Sequence, residues 1–129
     1  MTTAIVCTGL LGLLVFGLGI GVSAVRGSSN TIIGSSPDPT DRLHKMVRAH
    51  GNATEFAPML AVLMLLLGAR SPAGWITWVF VLATLARYLH AAGMITCESL
   101  AKPNPLRATG AVGTYLCGLV LSVAALLSA

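Results

Sequence analysis

The sequence predicts an all-α membrane protein, a four-helix bundle formed by a single domain over residues 1–129. Apolar residues make up 55% of the chain and charged residues only 9%, whereas roughly 25% of the residues of a soluble domain are charged. A chain of 129 residues has too much surface for its volume to bury so much apolar material. These proportions exclude a soluble monomer, and they exclude a disordered chain, which has low hydrophobicity. The net charge of +4 comes from scattered cations that form no basic stripe for nucleic acid.

Four stretches, at about residues 5–25, 46–68, 75–94 and 106–127, are the predicted membrane spans; the first, third and fourth are predominantly apolar throughout, and the second is apolar in its later half. The first is long enough to cross a hydrocarbon core of roughly 30 Å. We interpret it as a retained helix and not a signal peptide, because no positive residue precedes it and it exceeds the usual apolar region of a signal peptide. Pro37 and Pro39 exclude regular helix before the second span. Thr40 or Asp41 is the predicted N-cap of the second helix.

The basic residues predict the orientation. The connections at residues 26–45 and 95–105, with the positions beside them, hold most of the cations, whereas the turn between the second and third spans holds only Arg70. The positive-inside rule places connections rich in Lys and Arg in the cytoplasm. We therefore expect both of these connections in the cytoplasm and both termini outside.

The second span carries a polar stripe. Only residues 56–68 are apolar, so a helix that crosses the membrane must include the polar residues before them. Arg48, Asn52 and Glu55 are spaced by four and three residues, which places them on one helical face. Charges in a membrane segment persist where they face a bundle interior or a water-filled cavity. An arginine, an amide and a carboxylate in a row suit a zwitterionic, peptide-like ligand.

A structural interpretation of this stripe is equally open. Arg48 and Glu55 can bridge between helices, directly or through Asn52, and hold the bundle together. Arg87 and His90 share a face of the third span and are placed to complete a ligand pocket with the stripe. Spacing alone does not decide between a pocket and a bridge.

The cysteines predict neither a disulfide framework nor a metal site. The chain has three, Cys7, Cys97 and Cys117, and no two of them form a CxxC pair. An odd number at wide spacing is typical of free thiols. We therefore expect no metal cofactor.

The stretch from Arg48 to Pro58, RAHGNATEFAP, resembles the signature of the MAPEG family, the membrane-associated proteins in eicosanoid and glutathione metabolism. The end of the third span, ARYLHAAG at residues 86–93, is similar to the second motif of that family. The resemblance, to bacterial members of the microsomal glutathione transferase type, implies a homotrimer in a bacterial inner membrane. It also implies that glutathione binds as co-substrate between neighbouring subunits near the cytoplasmic face.

The resemblance also implies an activity and a set of site residues. The activity is transfer of glutathione to lipophilic electrophiles, or reduction of lipophilic hydroperoxides. A thiol with a pKa of about 8.5 needs a nearby cation to ionise at neutral pH, and Arg107 and Lys102 are the nearest candidates for this catalytic role. The residues expected to contact glutathione are Arg48, His50, Asn52, Glu55, His90, Arg26 and Arg87.

Several positions depart from the family pattern. Phe56 and Met94 stand where tyrosines are common, and Cys97 and Glu98 lie in the region where an arginine is expected. These departures favour a second hypothesis, a catalytically degenerate membrane scaffold or lipid-binding protein of the same fold. A transporter or channel subunit has weaker support, because neither a broken helix nor a paired repeat is visible.

Overall fold

The structure, a computed structural model, describes residues 1–128. All of its helices are long and apolar enough to cross a membrane, which confirms the predicted all-α four-helix bundle. Most of them extend a few residues beyond the predicted spans, because the polar residues that flank each apolar stretch continue the helix until a cap or turn ends it. The helices are α1 (Thr2–Ser28), α2 (Arg42–Ala69), α3 (Gly74–Thr96) and α4 (Pro105–Leu127).

Side-chain caps set the start of α2 and α4. The carboxylate of Asp41 accepts a hydrogen bond from the backbone nitrogen of His44 at 2.7 Å, so Asp41 is the N-cap of α2 and Thr40 lies outside the helix. Asn104 caps α4 in the same way, and a proline follows it in the first turn, where the missing N–H has no helical partner to lose. The helix α2 continues through Pro58 without interruption.

The bundle has two central and two outer helices. α2 and α3 contact each other, and both α1 and α4 lie against this central pair. Within residues 1–128, α1 and α4 do not contact each other. The hydroxyl of Tyr88 on α3 donates to the carbonyl of Leu10 on α1 at 2.8 Å. The cross-section is therefore a rhombus with α2 and α3 on its short diagonal.

The two ends of the bundle differ in charge. We call the end formed by the connections at residues 29–41 and 97–104 the basic end. There the backbone nitrogen of Leu100 donates to the carbonyl of Pro39 at 2.9 Å, and Lys45 Nζ donates to the carbonyl of Cys97 at 3.1 Å. These bonds place both basic connections together, as the predicted orientation requires. Which side of the membrane they face stays a prediction.

The opposite end, where both termini lie, is the terminal end. Here Arg70 Nη1 donates to the backbone carbonyl of Ser128. The apolar core fills the half of the bundle nearer this end, where it buries almost all of the Leu11, Met64, Phe80 and Leu121 side chains. Toward the basic end, the buried residues include an arginine and a histidine.

Glycines on α3 and α4 face the backbone of the neighbouring helix at close range. A Cβ atom at Gly110 would lie 2.6 Å from the carbonyl oxygen of Ala86, and one at Gly93 would lie 2.5 Å from the backbone nitrogen of Arg107. Real Cβ atoms do not come so close to backbone atoms. The absence of a side chain at these two positions is what lets α4 settle against α3.

Candidate functional site

A buried arginine lies at the centre of the candidate site. Arg87 on α3 is only 1% exposed. Its Nη2 donates to Asn52 Oδ1 on α2 at 2.7 Å, and its Nη1 donates more weakly to Thr114 Oγ1 on α4 at 3.4 Å. The guanidinium carbon also lies 5.3 Å from the centre of the Phe56 ring, within the range of a cation–π interaction. Three helices therefore meet at one cation.

Neutral groups of the protein take the place of water around the buried charge of Arg87. Within residues 1–128 no carboxylate lies within ion-pair distance of it, and its Nε has no hydrogen-bond partner. A buried cation costs several kcal/mol unless other groups replace its hydration. Here an amide oxygen, a hydroxyl and an aromatic face do so. Thr114 is suited to this because its hydroxyl donates to the carbonyl of Gly110 at 2.7 Å, which turns its lone pairs toward the arginine.

Asn52 connects the buried arginine to the polar stripe on α2. Because its Oδ1 accepts from Arg87, its Nδ2 is directed away from that guanidinium and lies 3.5 Å from Glu55 Oε2. Asn52 is partly buried, whereas Arg48 and Glu55 are exposed on either side of it. The amide is thus held in one orientation, with its donor facing outward along the stripe.

Neither Arg48 nor Glu55 forms a direct ion pair with another helix of this chain within residues 1–128. Within residues 1–128 the one ion pair joins Lys102 and Glu98 at 2.9 Å, and the Arg48 side chain forms no hydrogen bond. The structural interpretation of the stripe allowed a bridge between helices either directly or through Asn52. Within residues 1–128 no direct bridge forms, but Glu55 reaches α3 through Asn52, which accepts from Arg87. Arg48 takes no part in this link, and the Arg48 and Glu55 side chains are both exposed on the surface of α2.

The two histidines of the predicted site have separate environments. His90 on α3 is buried, and its Nδ1 lies 2.9 Å from the backbone carbonyl of Arg107. Because a carbonyl only accepts hydrogen bonds, this nitrogen carries the proton. His50 on α2 is half-buried, and its ring faces Gly19 of α1. His90 therefore joins α3 to the start of α4, whereas His50 lies at the contact between α1 and α2.

The remaining predicted residues are engaged with the connections of the basic end. Arg107 donates to the carbonyls of Leu100 and Lys102 at 3.0 and 3.1 Å. Lys102 pairs with Glu98 on an exposed surface. Arg26 Nη1 donates to the carbonyl of Gly34 at 2.7 Å. The structure links Asn52, Glu55 and Arg87 by hydrogen bonds. Arg107 and Arg26 are instead bound to the backbone of the connections, and Lys102 forms an exposed ion pair within one of them.

Thr114 and Tyr115 are site residues that the sequence reasoning missed. Thr114 contacts Arg87, and the Tyr115 ring lies 5.6 Å from the Phe56 ring, centre to centre. The first contact depends on the register of α4 against α3 and the second on its register against α2, and spacing within one helix specifies neither. The available signal was the pair of small residues Gly110 and Thr114, four apart, since such pairs mark faces of close helix packing.

An apolar groove adjoins the polar cluster. It lies between α2 and α4, has a volume of about 300 Å³ and opens at the surface of the bundle. Phe56 and Thr114 line it and also contact Arg87. An apolar molecule in the groove would therefore lie next to the residues that surround the buried cation. The other lining residues include Met59, Leu60, Leu63, Tyr115 and Leu119.

A comparison with known protein families finds a match that covers both motifs. The sequence profile of the MAPEG family matches residues 4–127, which include α2, α3 and α4 entirely and nearly all of α1. The match therefore contains the polar stripe of α2 and the motif at the end of α3. No protein of curated function matches the chain. With four helices of membrane-spanning length and a profile match over almost the whole sequence, the chain is an integral membrane protein that belongs to the MAPEG family.

Proposed function

We propose that this protein binds glutathione along the α2 stripe and transfers it to lipophilic electrophiles or uses it to reduce lipophilic hydroperoxides. One observation carries the proposal. Arg48 is exposed and has no hydrogen-bond or ion-pair partner in residues 1–128, and Glu55 is exposed with only a 3.5 Å contact from Asn52 Nδ2. Between them, Asn52 is oriented by a buried arginine. Exposed opposite charges around a preset amide are suited to a ligand that carries the complementary groups.

The dimensions of the stripe agree with a tripeptide. Arg48 and Glu55 are seven residues apart, which is about 10 Å along a helix. Three extended residues span at most about 10 Å. In the proposed complex Arg48 binds a glutathione carboxylate through two hydrogen bonds, Glu55 accepts from the ammonium group, and Asn52 Nδ2 donates to a peptide carbonyl. Arg87 acts behind Asn52 as a positioning residue.

The chemistry begins with ionisation of the glutathione thiol. In transfer to an aryl halide, the sulfur attacks the ring carbon, the halide leaves and the thiol proton passes to solvent. In peroxide reduction, two glutathione molecules become a disulfide while the hydroperoxide becomes an alcohol and water. The groove beside Phe56 and Thr114 offers the apolar co-substrate a position near the stripe. Arg107 and Lys102 are the proposed cations for the thiolate, and each would have to leave a present partner.

The arrangement in the membrane belongs to the same proposal. The basic end faces the cytoplasm, where its cations favour an anionic ligand such as glutathione. The stripe lies on the surface of the subunit, so a neighbouring copy in a homotrimer can close the site from the other side. Arg26, which donates to the carbonyl of Gly34, and His50, whose ring faces α1, are less favoured candidates for contacts to glutathione.

Isothermal titration of glutathione into the purified protein tests the binding site. Arg48→Gln and Glu55→Gln each remove a charge-assisted hydrogen bond, worth about 1.5–3 kcal/mol, so affinity should fall about 10- to 100-fold. Arg70→Gln is the matched control, because it makes the same change at the terminal end and should leave affinity unaltered. Equal heats for wild type, Arg48→Gln and Arg70→Gln would refute the site.

A second candidate function is binding without activation of the thiol. It is favoured by the present contacts of the two proposed catalytic cations. The guanidinium of Arg107 donates to two backbone carbonyls, and Lys102 pairs with Glu98. Rapid mixing with glutathione, followed by thiolate absorbance, separates the two candidates. Thiolate formation and turnover of an aryl halide or a lipid hydroperoxide support the enzyme. Binding with neither supports a scaffold or lipid-binding protein.

A further inference from the structure

The connection between α1 and α2 presents two adjacent isoleucines to the outside of the molecule. Ile32 is 95% exposed and Ile33 is 88% exposed. Their neighbours in the connection are mostly Ser, Gly, Pro and Asp. Isolated apolar residues are ordinary on protein surfaces, but two adjacent ones at nearly full exposure on a polar loop are a concentrated apolar surface with no partner in residues 1–128.

One backbone hydrogen bond and one from the Arg26 side chain hold this loop in shape. The backbone nitrogen of Thr31 donates to the carbonyl of Arg26 at 3.1 Å, and the Arg26 guanidinium donates to the carbonyl of Gly34 at 2.7 Å. Gly34 has a φ of +78°, a left-handed conformation that glycine adopts readily. The loop therefore folds back toward the last turn of α1, and it presents the isoleucines from a defined position.

The position of the loop relative to the membrane follows from the length of α1. A helix of 27 residues is about 40 Å long, whereas the hydrocarbon core is about 30 Å thick. The end of α1 therefore reaches the headgroup region, and a loop tied to Arg26 stays at about that depth. Apolar side chains at this depth are stabilised when they enter the boundary between headgroups and acyl chains.

The charges near the loop are compatible with a lipid surface. Residues 1–37 contain no carboxylate, and Asp38 is the first acidic residue of the chain. Arg26, Arg42 and Lys45 lie at the same basic end. Cations beside an apolar pair are typical of segments that bind anionic membrane surfaces.

We infer that Ile32 and Ile33 insert into the headgroup–acyl boundary of the bilayer that the chain itself spans, and that Arg26 holds the loop in position for this. The segment would then be an interfacial anchor at the basic end. This inference uses neither the α2 stripe nor Arg87. It shares only Arg26 with the proposed glutathione site, and its test changes Ile32 and Ile33 while leaving Arg26 in place.

Tryptophan fluorescence in bilayers tests the anchor. The two native tryptophans are first removed by Trp75→Phe and Trp78→Phe, both at exposed positions of α3. Ile32→Trp, Ile33→Trp and, as matched control, Ser36→Trp are then introduced one at a time into the full-length chain. Each variant is reconstituted with phosphatidylcholine and phosphatidylglycerol, with and without bromine atoms on the acyl chains close to the headgroup.

Insertion predicts a blue-shifted emission for Ile32→Trp or Ile33→Trp, with quenching by brominated lipid about twofold or more above that of Ser36→Trp. Water-exposed emission and quenching equal to the control would overturn the proposal. Blue-shifted emission without quenching by bromine would also overturn it, because that result places the loop against protein, such as a second copy of this chain. Testing both positions ensures that a distortion of the loop by one of the introduced indole rings does not decide the result.

Discussion

Gly110→Ala should destabilise the protein by pushing α4 away from α3. The new methyl group would lie 2.6 Å from the carbonyl oxygen of Ala86 and 2.7 Å from the Cα of His90. Both are backbone atoms inside a helix, so a side-chain rotation cannot relieve the clash. The helices must therefore separate, and this also moves Thr114, one turn further along α4, away from Arg87.

A matched substitution isolates the packing cost. Alanine in place of glycine in a helix is favourable by about 1 kcal/mol, and Gly118→Ala on the same helix should realise that gain. A Cβ at Gly118 would lie 3.9 Å from Leu60, an ordinary contact. Overpacking costs about 1–3 kcal/mol. Because the helix preference is the same in both variants, the difference in stability between them should be about 1–3 kcal/mol.

Thermal unfolding in detergent, followed by a dye that reacts with the buried thiols of Cys7 and Cys97, measures this difference. For a chain of this size, each kcal/mol corresponds to about 4 °C in the midpoint. Gly110→Ala should therefore unfold about 4–12 °C below Gly118→Ala. Equal midpoints would refute the close approach of α3 and α4, and with it the route by which Thr114 reaches Arg87.

Three further predictions concern individual contacts. Phe56→Leu keeps an apolar side chain but removes the ring over Arg87, and should destabilise the protein by about 0.5–2 kcal/mol, whereas Phe56→Tyr should not; equal unfolding midpoints would exclude the cation–π contact. Asp41→Ala should cost about 1 kcal/mol and Asp41→Ser much less, since serine also caps helices; chemical denaturation compares them. Hydrogen bonds from the backbone and side chain of Thr40 hold the pKa of Asp38 below its usual value; Thr40→Val removes only the hydroxyl, so carboxyl NMR titration should show a partial rise.

The helices α1, α3 and α4 could be predicted from the sequence because apolar stretches of about membrane length specify them by composition. The apolar part of α2 is too short on its own, and the need to cross the membrane predicted its extension through the polar residues before it. The α2 stripe could be predicted as well, since a helix of known period determines which side chains share a face. Glu55 and Asn52 lie together in the structure as that period requires. Even the N-cap of α2 was restricted to two neighbouring residues by their chemistry.

The contacts between helices could not be predicted in the same way. Spacing places Arg87 and His90 on one face of α3, but it does not show which neighbour each of them meets. In the structure Arg87 turns to Asn52 and Thr114, while His90 turns to the backbone of Arg107. Rotation and register between helices decide these partners, and both depend on close approaches such as the one at Gly110.

The order of Arg87 and its partners along the chain has a consequence for biosynthesis. Asn52 precedes Arg87 by 35 residues, whereas Thr114 follows it by 27. When the ribosome delivers α3 to the insertion machinery, the amide that receives the guanidinium is already made, and the hydroxyl is still to come. Arg87 can thus enter the membrane already bonded to Asn52, when α2 and α3 insert together as a helical hairpin. Thr114 then reaches it when α4 inserts. A chain truncated before α4 should insert this hairpin, but should leave one side of the cation uncovered.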